Sequence, residues 1–173
     1  VREYQAKIFI DATGDGDLAY YADFKYEKGR SSDNACQPST LCFRLAGVKT
    51  PYNITELRKH MTEVYLEGQK AGRISDPREN ALVFETLHAD VLHFNTTRVI
   101  LKDSTLSEDL TSSELMARKQ TEEIYEYFKE KSPFFKDSYI QKIAAQTGIR
   151  ETRRVMGLYK VTEDDIVGAK TFE

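Results

Sequence analysis

The segment KIFIDATGDGDLA, Lys7 to Ala19, constrains the fold most. Ile8, Phe9 and Ile10 form a continuous apolar run, the pattern of a strand buried on both faces, and predict a strand over 7–13. The chain then passes Asp11, Asp15 and Asp17 around Gly14 and Gly16 before small apolar residues. Three readings fit this turn. A calcium loop of the EF-hand type, about twelve residues long, finds Thr13, Asp15 and Gly16 in order but ends on Ala22, which has no ligand oxygen, and follows a strand instead of a helix. A turn at the carboxyl end of a parallel strand is where open α/β sheets hold ligands, and glycine there lets backbone approach them closely. Acidic groups would repel a phosphate, so they would hold hydroxyls, backbone N–H groups or a neighbouring loop. In the third reading Asp17 simply caps a short helix over 18–23.

The remainder alternates between half-buried strands and amphipathic helices. Residues 27–38 read as a polar loop, and 40–47 as a strand with Leu41, Phe43 and Leu45 on one face and Cys42 and Arg44 on the other. A first long helix starts at Asn53, with Glu56 as reciprocal partner and Ile54, Leu57, Met61, Val64 and Tyr65 as its apolar stripe, and stops at Gly72. Segments 82–88 and 91–99 read as a hairpin across Ala89 and Asp90. A second long helix spans 112–131, with a capping box at Thr111 and Glu114, an apolar side of Leu115, Ile124 and Phe128, and Pro133 beyond its end. Segments 139–149 and 153–161 read as strands, the first with Tyr139, Gln141 and Ile143 on one face, and Thr162 caps a last helix through Asp165. The fold class expected is α+β, a mixed or antiparallel sheet with two long helices, plus the strand 7–13.

Bulk properties narrow the function. The chain has 173 residues, 40% apolar and 31% charged, with a net charge of −3, so it is globular and carries no basic field for nucleic acid. No apolar run is long enough to span a bilayer. The two cysteines, Cys36 and Cys42, make neither a disulfide framework nor a metal set, and an intracellular, cytoplasmic protein is expected. With no initial methionine and a core-type strand at its start, the sequence reads as a piece of something longer.

Basic residues offer the other candidate chemistry. Arg150, Arg153 and Arg154 fall within five residues around Glu151. In an extended segment Arg150, Thr152 and Arg154 face one way and Glu151 and Arg153 the other. Guanidinium forks bind carboxylates in paired hydrogen bonds, so this cluster, and Arg98 likewise, either anchors an acidic group or forms an internal ion-pair lattice. His88 and His93 flank the hairpin without a third ligand, and His60 reads as solvated beside Lys59. The sequons at Asn53 and Asn95 are discounted for their capping and strand contexts.

IDATGDGDLA resembles a segment of a family of FAD-dependent oxidoreductases. QTGIRETRRVMGLYKVTEDDI (146–166) is similar to that family's GxRETRRxxGxYxLTxxD segment, and QPSTLCFRLAGV, NTTRV and LTSSELMARKQ follow its order between them. The family's N-terminal GxGxxG fingerprint is absent, and GDGDLA has the wrong spacing to replace it. The resemblance therefore implies an internal fragment. Residues 1–23 would be the returning strand and turn of an FAD-binding domain, and 24–173 a substrate-side domain. It implies FAD in the intact protein and not on this chain alone. It places Thr13, Gly14, Asp15 and Gly16 near the cofactor and offers Arg98, Arg150, Arg153 and Arg154 to anchor a small-molecule substrate. The reaction implied is hydride transfer to FAD, with no partner nucleic acid or membrane and no metal. Two other classes stay open: a carbohydrate-active protein, since relatives of this kind can carry a polysaccharide-lyase label, and a non-catalytic calcium-binding module.

Overall fold

A computed structural model describes residues 2–172. The elements, in order, are α1 (Asp17–Tyr21), β1 (Tyr26–Lys28), β2 (Phe43–Ala46), α2 (Ile54–Lys70), β3 (Val83–Glu85), β4 (Leu92–Phe94), α3 (Ser107–Lys131), β5 (Tyr139–Ile143), β6 (Arg153–Val155) and α4 (Glu163–Val167). The fold is α+β, with two long helices and antiparallel pairing throughout the described sheets. The chain divides into two compact units, Ala35–Glu151 and the pair of segments Val1–Asn34 with Thr152–Glu173. Pairing of β1 with β6 accompanies the grouping of residues 24–34 and 152–173 with the opening segment.

The unit Ala35–Glu151 is built on a four-stranded sheet in the order β3-β4-β2-β5. The alternation in 40–47 holds: Leu41, Phe43 and Leu45 are all at most 1% exposed, while Arg44 faces solvent. The core is completed by Leu57, Met61 and Tyr65 of α2 and Ile124, Phe128 and Phe135. Phe43 stacks on Phe94 at 4.7 Å across β2 and β4. Asn53 caps α2, its side chain accepting from the amides of Thr55 and Glu56. At the other end the Gly72 amide donates to Gln69 and the Arg73 amide to Gly68, with Gly72 at φ +69°, so glycine closes the helix in the left-handed conformation.

Four expectations change here. The second helix begins at Ser107, with Leu106 at its N-cap and no side-chain cap, and Thr111 and Glu114 lie inside it. Thr111 instead donates to the Ser107 carbonyl, and Glu114 reaches Thr147. Leu115 is 66% exposed, so the buried stripe of α3 runs through Ala117, Ile124 and Phe128. On β5, Phe43 faces Ile143 and Arg44 faces Lys142, but Leu45 faces Ile140. Gln141 is thus an extra residue, and this bulge turns both Ile140 and Ile143 toward the core while Tyr139 stays exposed. The hairpin strands are only three residues each, and Thr86 organises a longer turn through His88 and Val91.

In the other unit, the predicted strand 7–13 has no ladder among the described residues, and Ile8 and Ile10 are at least 80% exposed. A strand exists only where another strand accepts and donates its backbone hydrogen bonds, and none does so here. The strand expected over 153–161 ends at Val155, while Lys28, inside the expected loop, pairs with Arg153. The cap at Thr162 is present with its reciprocal half at Asp165. Hydrogen bonds from the Tyr159 hydroxyl and then from Thr162 hold the Asp165 carboxyl down at about 2.

Candidate functional site

Asp11 organises the acidic turn. One carboxylate oxygen accepts from the amide and hydroxyl of Thr13, at 3.0 and 2.8 Å, and the other from the Ala19 amide at 2.9 Å. These bonds, the Ala19 amide foremost, hold the Asp11 carboxyl below its ordinary range. Thr13 Oγ1 in turn accepts from the Asp17 amide at 2.9 Å, so Asp17 is the first residue of α1 and not its cap. The Gly16 φ is +64°, and a Cβ there would stand 2.9 Å from Val155 Cγ2, so this position requires glycine. Gly14, at φ +85°, has no atom within 4 Å of where a Cβ would stand.

The turn is held from across the unit by Arg153. Its Nη1 donates to the Asp15 carbonyl at 3.1 Å and to the Asp17 carboxylate at 2.6 Å, and its guanidinium lies 4.2 Å from the centre of the Tyr20 ring. Arg154, on the next residue of β6, donates to the Gly29 carbonyl at 2.7 Å and approaches Glu27, which Lys160 also pairs at 3.0 Å. The structure thus brings Thr13, Gly14, Asp15, Gly16, Arg153 and Arg154 into one unit.

Arg98 and Arg150 belong to the other unit. Arg98 pairs with both oxygens of Glu79 at 3.1–3.2 Å, and its backbone exchanges hydrogen bonds with the Gln120 side chain. Arg150 is exposed and makes no hydrogen bond or ion pair among the described residues. Glu151 accepts from the Gln37 amide at 2.7 Å. His88 lies in the hairpin turn while His93 stands opposite Phe84, so the two do not face each other. His60 is not simply solvated: its Nε2 lies 2.9 Å from Ser132 Oγ, beside Phe134.

Sequence reasoning missed a second set. On the sheet face away from the core, His93, Arg44 and Lys142 are direct cross-strand neighbours in β4, β2 and β5. The alternation of 40–47 put Arg44 on that face, but only the register supplies its neighbours.

Among the described residues no cluster of three or more His, Cys, Asp or Glu is placed to hold a metal ion, and no helix is long and apolar enough to cross a membrane. The amides of Gly14, Asp15 and Gly16 meet no acceptor among the described residues, and the space over Gly14 is open. A donor set of backbone N–H groups with carboxylates beside it fits the hydroxyl-bearing and polar-ring parts of a flavin nucleotide better than its phosphates.

The sequence model of a family described as FAD dependent oxidoreductase matches residues 1–173. No curated protein and no solved structure matches significantly. With the whole length matched, the chain belongs to the FAD dependent oxidoreductase family, whose cofactor is FAD.

Proposed function

We propose that this chain is the substrate-side part of an FAD-dependent oxidoreductase, with one segment that returns to an FAD-binding sheet. In the intact protein the reaction is hydride transfer from a small organic substrate to FAD. The observation that carries this reading is the turn at Thr13–Gly16. It is locked by Asp11 and Arg153, yet it leaves the amides of Gly14, Asp15 and Gly16 unengaged and the Gly14 surface open. The exposed apolar run Ile8–Ile10 supports the returning strand, since such a run is stable only when another sheet covers and pairs it.

FAD, when bound, supplies the two-electron acceptor. The chain's residues orient and bind. Gly14, Asp15 and Gly16 present backbone donors and the Asp15 carboxylate to the cofactor's hydroxyls, and Thr13, its amide and hydroxyl donated to Asp11, holds the turn in shape beside the cofactor. Arg153 positions that turn, its fork being spent on Asp15 and Asp17. Arg98 and Arg150 of one unit and Arg154 of the other are each proposed, taken singly, as an anchor for an acidic substrate group, Arg150 having its guanidinium available among the described residues. The test is anaerobic reduction of the flavin in the intact protein by candidate organic substrates. Bleaching of the visible flavin band by one of them is the expected result. An intact protein that purifies and reconstitutes without flavin contradicts the reading.

A further inference from the structure

A shallow cavity of about 140 Å³ opens on the solvent face of the four-stranded sheet, lined by Cys42, Phe43, Arg44, His93, Lys142 and Ala144. Its rim is a row of basic side chains at one register. Arg44 stands directly opposite His93 on one side and Lys142 on the other. Like charges placed directly opposite one another destabilise a sheet, and neither the Arg44 nor the Lys142 side chain makes an ion pair or hydrogen bond among the described residues. His93 Nδ1 is buried and has no hydrogen-bond partner among the described residues, so the ring gains nothing there from carrying a second proton. Burial first, and then the Arg44 charge, lower the His93 pKa, so its ring is the neutral member of the row. Burial likewise raises the Cys42 pKa, which keeps that thiol neutral.

We propose that this cavity is a binding site for a small organic carboxylate. Arg44 receives the carboxylate in its planar fork, and Lys142 adds a point charge from the neighbouring strand. His93 forms the neutral side of the cavity beside them. Cys42 and Ala144 supply an apolar wall for a short carbon chain. The volume is below the range of roughly 300–1,000 Å³ typical of sites for drug-sized ligands and matches a small acid better than a nucleotide or an oligosaccharide. A bare cation is excluded by the neighbouring guanidinium and ammonium groups. As a binding site the cavity stands on this chain's own geometry.

The test is a nuclear magnetic resonance titration of the isotopically labelled 173-residue chain with acetate, lactate, succinate and glutarate at fixed ionic strength. Inorganic phosphate and chloride serve as control anions. At least one carboxylate should shift the His93 imidazole and the Cys42 and Ala144 amides saturably, with the His60 and His88 rings silent. Arg44→Gln should raise the dissociation constant at least about tenfold and Lys142→Gln about threefold, while the melting temperature holds or rises as the like charges are relieved. Three results overturn the proposal: no saturable shift at His93 with any of the four acids, a change under about twofold in Arg44→Gln, or phosphate binding as tightly as every carboxylate. No flavin enters this titration, so its failure leaves the flavoprotein reading standing. A flavin-free intact protein would in turn leave the carboxylate site standing.

Discussion

Arg153 and Asp17 lie 136 residues apart in sequence and meet in an ion pair of 2.6 Å. The pair ties β6 to the acidic turn, and the Arg153 side chain is only 9% exposed while Asp17 remains about half exposed. Removing the arginine takes away two charge-assisted bonds and the cover over Tyr20 together. Arg153→Ala should destabilise this unit by about 1–3 kcal/mol, and Arg153→Lys should restore only part of that because an ammonium cannot stack and fork at once. Amide hydrogen exchange checks this: residues 14–21 and 26–28 should exchange faster in Arg153→Ala, with Leu57 to Tyr65 of α2 unaffected. Uniform acceleration across both units would contradict it.

Asp76 gives a pH dependence of the opposite sense to an ordinary paired carboxylate. It is 1% exposed, and neither carboxylate oxygen accepts a well-formed hydrogen bond among the described residues, although the Tyr65 hydroxyl and the Arg78 amide lie nearby. Burial pushes its pKa up to about 6 from 3.8, against the opposing pull first of the Tyr65 hydroxyl, then of the Arg78 amide and of the Arg78 and Arg98 charges. A raised folded-state pKa contributes stability fully present below about 3.8 and lost as pH rises through about 6. Asp76→Asn should therefore stabilise the chain near neutral pH, by up to about 3 kcal/mol. The advantage should vanish at about pH 3, below both values. Urea midpoints of both proteins at the two pH values measure this, and a destabilised Asp76→Asn at neutral pH would refute it.

Glu114 acts as a tether and not as a helix cap. One oxygen accepts from the Thr147 amide and hydroxyl, and the other pairs with Arg118. Burial alone would raise its pKa, but these donors outweigh that and lower it. Glu114→Ala should cost about 1–3 kcal/mol by freeing Thr147, whereas Thr111→Ala should cost less than about 0.5 kcal/mol, since no cap is lost. Denaturant unfolding of the two variants distinguishes these roles. Equal losses would restore the capping box.

What was legible in the sequence was local. Asn53, Gly72 and the pair Thr162 and Asp165 act within a few residues of themselves, so the termini of α2 and the start of α4 could be read directly. The Leu41, Phe43, Leu45 alternation likewise reports a single strand's two faces. The misreadings all required a distant partner. Glu114 matches a cap pattern but bonds to Thr147, and the face of β5 is reset by a bulge opposite Arg44 and Leu45. The row of His93, Arg44 and Lys142 exists only through strand register, which no spacing within one segment encodes. The family resemblance was legible because the acidic turn and the RETRR segment are contiguous motifs. Their joining through Arg153 and Asp17 was not.

The central claim is that the cofactor approaches the Thr13–Gly16 turn, and Gly14→Asn tests it most directly. Asparagine tolerates positive φ better than most residues, and beyond its own neighbours in sequence the added Cβ meets no atom of the described residues within 4 Å. The measurement is the flavin-to-protein ratio of the purified intact protein, with and without the substitution. Retained circular dichroism and melting temperature with flavin content lowered at least about tenfold is the predicted result. Undiminished, stoichiometric flavin in a folded Gly14→Asn protein would contradict it.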